Sequence, residues 1–193
     1  MFPLILTSRF ESALVYAMGL YRHQRCPVNA MPYVSHLLGV AALVLEDGGT
    51  EEEAIAALFL GAIEDQGGIK TLIAIRDCFG DRVTAIALGC TKPSVTDYTS
   101  WLQHKQAYLQ QIRRAELSVQ RVALADELHN GWLLLRNLAK AGDTTWQACA
   151  GSPSEILWFY REAAVCFETI KPGWMAVELT QVVQRLVEQV ELL

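Results

Sequence analysis

Apolar residues in this chain recur at three- and four-residue spacing between Gly/Pro breaks, and nowhere do they alternate as a half-buried strand requires. The breaks fall near 26–32, 47–50, 66–68, 92–94, 142–143, 151–153 and 171–173. In RFESALVYAMGLY the spacing puts Phe10, Leu14, Ala17 and Tyr21 on one helical face. TEEEAIAALFLGAIED opens with Thr50 and Glu53, a capping-box pair, and reads as one helix from about Glu51 that ends on Glu64 and Asp65. Val119, Val122, Leu124, Leu128 and Leu133 mark a long helix that Gly142 stops. Val177, Val182, Leu186 and Val190 mark a last helix at about 174–192. With no internal repeat or low-complexity linker, the chain reads as one all-α domain over 1–193, a bundle of roughly seven to ten helices.

Composition narrows the function classes. Hydrophobic residues make up 52% of the chain, which fits a compact fold rather than disorder. A formal charge of −5 lacks the basic footprint of a nucleic-acid binder, so no nucleic acid polymer is expected as partner. The five cysteines (26, 78, 90, 149 and 166) are odd in number and show no CxxC spacing, against both a disulfide framework and a zinc knuckle. MFPLILTSRFESA is briefly apolar but has no basic n-region, and no apolar run reaches about 18 residues. A cytoplasmic protein with no membrane partner is the expectation.

Several polar residues sit where helices disfavour them. His36 follows Pro32 by about one turn and precedes an apolar run; a core or capping histidine is the plain alternative to a ligand. Glu64 and Asp65 oppose the dipole at the end of their expected helix. Gly61 costs about 1 kcal/mol relative to Ala in a helix interior; it marks either close helix packing or a lost side chain. Asp126 lies among Ala123, Leu124, Ala125 and Leu128, where a carboxylate must be paired or ligating, and Asn130 is on the same face one turn on. Trp158, Phe159, Tyr160 and Arg161 read as core, or as a stacking wall with a guanidinium for phosphate. Lys105 is a surface lysine or a phosphate point charge.

Taken in order, MPYVSHLLGVAALVLEDGGTEEEAIAAL, EDQGG, FGDRVTAIALGCTK, KQAYL, VALADELHN and LWFYREA cover most of the chain. Together they resemble the HD-domain metal-dependent phosphohydrolases, in particular the small RelA/SpoT-like alarmone hydrolases. That resemblance implies an all-helical fold and a manganese-dependent removal of the 3′-pyrophosphate from ppGpp. It matches His36 and Asp126 to two of the family's metal ligands, and Glu64 and Asp65 to its catalytic acidic pair. Asn130 and Lys105 match positions associated with the nucleotide, and the stacking-wall reading adds Tyr160 and Arg161 to the expected substrate-binding residues. Arg25 in QRCPVNAMPY is what remains of a basic phosphate-facing segment. The eponymous His-Asp pair is replaced: where the family has LLHD, this chain has Phe59-Leu60-Gly61.

The replacement sets the functional expectation. A hydrolytic metal needs fixed geometry and an open position for water, and half of its protein ligands are absent. No metal cofactor is therefore expected here, Leu60 is expected to fill the space, and His36 is expected to pair with Asp126 directly. Three readings follow. The first is a catalytically impaired HD-domain protein that retains binding of a guanine nucleotide such as ppGpp. The second is an active phosphohydrolase with a rearranged site built on Glu64 or Asp65. The third is an interaction module, such as a homo-oligomer, joined through an apolar face at Val182, Leu186 and Val190.

Overall fold

The computed structural model describes residues 5–93 and 100–191. The first four residues of the apolar N-terminus and the side chain of Val190 lie outside the described residues. Helices α1 (Ser8–Leu20), α2 (Tyr33–Glu46), α3 (Glu51–Ala57), α4 (Ala62–Asp65) and α5 (Ile69–Cys90) make the first half. Helices α6 (Trp101–Arg114), α7 (Leu117–Ala141), α8 (Pro153–Ile170) and α9 (Trp174–Glu191) make the second, with a 3-10 turn at Gly142–Ala148 between α7 and α8. The architecture is all-α, and among the described residues there is no strand, only an isolated bridge between Arg25 and Pro32.

Helix α7 is the axis of the bundle and packs against α2, α3, α5, α6, α8 and α9. Its segment from Val122 to Leu128 is buried on every side, which is the signature of a helix enclosed by others. Asp126 and Glu127 thus sit in the middle of the protein because the helix that carries them does. At its end Gly142 takes a positive φ of 56° and stops the helix, as the sequence indicates.

Helix α3 starts on the expected capping box, Thr50 with Glu53. The buried Glu53 carboxylate also receives both bonds of Arg121 Nη1 from α7, at 2.8 and 2.9 Å. Arg121 and Lys171 each reach Asp47 at 2.9 Å, so α2, α3 and α7 meet at one charged joint.

The single helix expected from Glu51 to Asp65 is broken. α3 ends at Ala57, and after a turn Gly61 adopts φ 75°, the left-handed region that L side chains rarely enter, before α4 begins. The freed Leu60 carbonyl accepts from the Tyr21 hydroxyl at 3.0 Å and the Tyr33 hydroxyl at 3.5 Å. Glu64 and Asp65 therefore sit in the first turn of a short helix, where acids are favoured, rather than at the end of a long one.

Helix α9 packs its apolar stripe inward. Val182 is 2% exposed and Leu186 fully buried, which removes the exposed face that an interaction module was expected to present there. Val177, expected on the same stripe, points out instead. Among the described residues no helix is long and apolar enough to cross a membrane.

Candidate functional site

Two adjoining chambers open beside the middle of α7. One, of about 740 Å³, is lined by Leu60, Gly61, Glu64, Asp65, His104 and Asp126 among others. The other, of about 520 Å³, is lined by Trp101, Lys105, Glu127, Leu133, Phe159 and Tyr160 among others. Tyr33, His36, Lys92 and Asn130 line both, so the chambers meet at these four side chains.

At the junction, α2 presents His36 to α7. Its Nε2 lies 2.9 Å from Asp126 Oδ1, and its Nδ1 lies 2.9 Å from His129 Nδ1. Asn130 Nδ2 donates to the same Oδ1 at 2.8 Å. With both rings neutral, one set of protons satisfies the chain: His129 Nδ1–H donates to His36, and His36 Nε2–H donates to Asp126. Gly39 makes this crossing possible, because a Cβ there would fall onto His129 Nε2. Burial, opposed by the His36 hydrogen bond and the charge of Lys92, leaves the Asp126 carboxyl lowered to about 2. Burial, with His36 beside it, lowers His129 to about 4.

The acidic pair is engaged on the far wall of the same chamber. Glu64 Oε1 accepts from the Lys92 backbone N–H at 3.1 Å, and Asp65 Oδ2 from the Gln24 amide at 3.0 Å. Gln24 in turn accepts from the Gln66 amide, which ties the loop before α2 to the turn after α4.

The family's manganese does not fit these residues. Leu60 is 5% exposed and apolar, and Gly61 has no side chain. The direct His36–Asp126 contact uses the ring nitrogen on that side. Among the described residues no group of three or more His, Cys, Asp or Glu side chains is placed to hold a metal.

The second chamber carries two lysines, Glu127 and an aromatic wall. Lys105 Nζ lies 4.1 Å from the Phe159 ring centre, 5.4 Å from Trp101 and 5.7 Å from Tyr108, an arrangement of cation–π contacts. Burial lowers its pKa to about 8 despite the nearby Glu127. Lys92 Nζ stands 5.9 Å from the Tyr108 ring centre. Burial disfavours its charge, but Asp126, Glu127, Glu64 and Asp65 outweigh that and raise its pKa. Glu127 is 2% exposed; burial, opposed by Lys105 and Lys92, raises its carboxyl pKa.

Of the residues singled out in the sequence, His36, Glu64, Asp65, Asp126, Asn130, Lys105 and Tyr160 line the two chambers, with Leu60 and Gly61. Arg25 and Arg161 do not. Arg25 is exposed in the loop before α2, its backbone bridged to Pro32. Arg161 is exposed one position beyond Tyr160, which about 100° of helical rotation carries off the cavity wall. Trp158 packs against the core outside both chambers, and Trp101 of α6 supplies the aromatic wall with Phe159 and Tyr160. Sequence reasoning missed His129, Lys92, Glu127 and Trp101. His129 was legible as the residue between Asp126 and Asn130 on one face of α7; Lys92 and Trp101 flank the α5–α6 connection and carry no periodic signal.

The fold is shared with solved structures. A metazoan orthologue of SpoT, described as hydrolysing ppGpp, matches over 96% of this chain and 97% of its own, with a TM-score of 0.74 at 18% identity. A crystal structure of a protein from Listeria monocytogenes EGD-e matches over 79% of this chain and 99% of its own, with a TM-score of 0.69 at 24% identity. A probable guanosine-3′,5′-bis(diphosphate) 3′-pyrophosphohydrolase from Synechocystis sp. is 32% identical over 121 residues, 61% of this chain and 16% of that protein. A GTP pyrophosphokinase from Brucella melitensis biotype 1 is 33% identical over 135 residues, 66% of this chain and 17% of that protein. The chain thus spans about a sixth of the length of these curated relatives. Residues 13–156, from within α1 through the first turn of α8, match the family profile described as HD domain, and on that match across the junction helices this chain belongs to the HD-domain family.

Proposed function

We propose that this chain binds a guanosine polyphosphate of the ppGpp class without cleaving it. The carrying observation is the closed junction: His36 bonded to Asp126 at 2.9 Å, with Leu60 and Gly61 beside it offering no donor. A chamber holding Lys105, Lys92, Asn130 and an aromatic wall beside that junction supports retained binding of a phosphorylated ring compound. Kinship with a curated ppGpp 3′-pyrophosphohydrolase supports the ligand class.

A second reading has one observation in its favour. Glu64 and Asp65 line the same chamber as His36 and Asp126, so a rearranged, active site would have its carboxylates at hand.

One experiment separates the two. Binding of ppGpp is measured by calorimetry and its hydrolysis by product release, with and without manganese. The double variant Leu60→His with Gly61→Asp runs alongside. Binding with no turnover by the unmodified chain is the expected result. Manganese-dependent turnover by the unmodified chain would replace this proposal with the second reading, and absence of binding would end it.

A further inference from the structure

The 520 Å³ chamber contains three ionisable side chains, Lys92, Lys105 and Glu127, that have no direct polar partner among the described residues. Among the described residues, Lys105 and Lys92 have ring contacts only, and neither lies in an ion pair. Among the described residues Glu127, 2% exposed, makes no side-chain hydrogen bond, and its Oε1 is fully buried with no partner. Buried carboxylate oxygens are ordinarily satisfied, and an orphan on a chamber wall marks a position that a ligand's donors complete.

The chemistry of that donor is specific. A carboxylate accepts only, and its two oxygens suit two parallel N–H donors. Among the common nucleobases, only guanine offers two adjacent N–H donors along its pairing edge, the ring N1–H and the 2-amino group. Adenine and cytosine each pair an amino group with an acceptor, which a carboxylate repels. Hypoxanthine has the ring N–H alone, and xanthine sets a carbonyl where guanine has the amine. Leu133, Leu134 and Ile156 with the Phe159 and Tyr160 rings give a flat heterocycle an apolar bed beside Glu127.

We infer that Glu127 is the specificity-determining residue of this chamber, accepting the paired N–H donors of a guanine edge while Lys105 and Lys92 face the anionic groups of the same ligand. This rests on the nucleotide-binding reading above and adds to it the group that chooses the base. The neighbouring Asp126 does not compete for the role, because its Oδ1 is held by His36 and Asn130.

The test titrates the whole chain with the 3′,5′-bis(diphosphates) of guanosine, inosine and xanthosine, by calorimetry at neutral pH. The unmodified protein is expected to bind the guanosine compound at least about tenfold more tightly than the inosine compound, which lacks one donor to a charged acceptor. Glu127→Gln is expected to lose that preference and to gain the xanthosine compound, since the Gln amide donates to the 2-carbonyl. Equal binding of all three by the unmodified protein would overturn the assignment of Glu127 while leaving nucleotide binding in place. So would a Glu127→Gln protein, folded by circular dichroism, that kept the unmodified preference. Failure of all three compounds to bind the unmodified protein would overturn both readings. The guanosine-to-inosine ratio needs no variant, so a misfolded Glu127→Gln protein still leaves the inference open to refutation.

Discussion

Gly61→Ala carries opposite signs under two accounts of the same residue. If residues 51–65 formed one continuous helix, replacing a helix-interior Gly by Ala would stabilise the protein by about 1 kcal/mol. The structure instead holds Gly61 at φ 75°, where an L side chain costs roughly 1–2 kcal/mol. An added Cβ would also stand 3.1 Å from the Tyr33 hydroxyl and 3.3 Å from Asp65 Oδ2, contacts tight enough that one neighbour must shift. For a chain of this size 1 kcal/mol moves Tm by about 2–4 °C, so the expected fall is about 2–8 °C where the continuous helix predicts a rise of about 2–4 °C. Urea and thermal unfolding followed by circular dichroism read the sign directly. Gly19→Ala in α1 is the control: nothing lies within 4 Å of a Cβ there, and the substitution should stabilise. Gly61→Asn should lose less than Gly61→Ala, since Asn tolerates the left-handed region. A Gly61→Ala protein that gains stability alongside Gly19→Ala would refute the broken helix and, with it, the position assigned to Glu64 and Asp65.

Further substitutions probe the junction and the lysine. His36→Ala leaves Asp126 buried with Asn130 as its one hydrogen-bond partner among the described residues and should lower unfolding free energy by about 3–5 kcal/mol in urea titrations. Gly39→Ala should destabilise even though Ala is the better helix former, because His129 must vacate the space the new Cβ takes; the His129 ring protons should shift in NMR spectra. Lys105 has its folded pKa lowered to about 8, so between about pH 8 and 10.4 the unfolded chain binds more protons, and this residue's contribution to stability rises with pH. Tyr108 and Tyr160, held well above 10 mainly by burial, act with the opposite sign. The measurement is therefore the stability difference between the unmodified protein and Lys105→Met, which should stay level well below pH 8 and move in the lysine's favour from about pH 8 toward pH 10.

Much of the fold was legible because its signals are local. Thr50 with Glu53 and the apolar stripe of α7 are each contained within a few turns, and each forms as its spacing dictates. The break at Gly61 was not, because Gly inside an apolar run serves helix packing and a left-handed turn equally well, and the choice depends on Tyr21 and Tyr33 capping the Leu60 carbonyl from other helices. The site divides the same way. His36, Asp126 and Asn130 stand out as polar residues on apolar faces. His129 becomes a partner only because Gly39 lets α2 and α7 approach, a contact between residues 90 positions apart. Arg25 was expected at the site from the resemblance and Arg161 from its place beside the aromatic run, and both are exposed outside the chamber linings.

The closed junction explains how a helical bundle holds a buried carboxylate and two imidazoles at its centre. A buried Asp126 with no cation beside it would carry a desolvation cost of several kcal/mol. Here the His36 ring moves that burden onto a hydrogen bond, Asn130 adds a second to the same oxygen, and His129 orients the ring from its other nitrogen. Leu60 closes the neighbouring wall with an apolar side chain that itself needs no partner. Asp126 Oδ1, both ring nitrogens of His36 and Nδ1 of His129 are thereby satisfied within the junction. Restoring donors through Leu60→His and Gly61→Asp would accordingly not suffice alone, since the His36–Asp126 contact must open before either residue can turn toward a new partner. The double variant should therefore recover less than the full behaviour of an intact His-Asp site. Its recovery should improve when Asn130→Ala removes the second bond on Asp126, and an Asn130→Ala background that worsened it would place the barrier elsewhere.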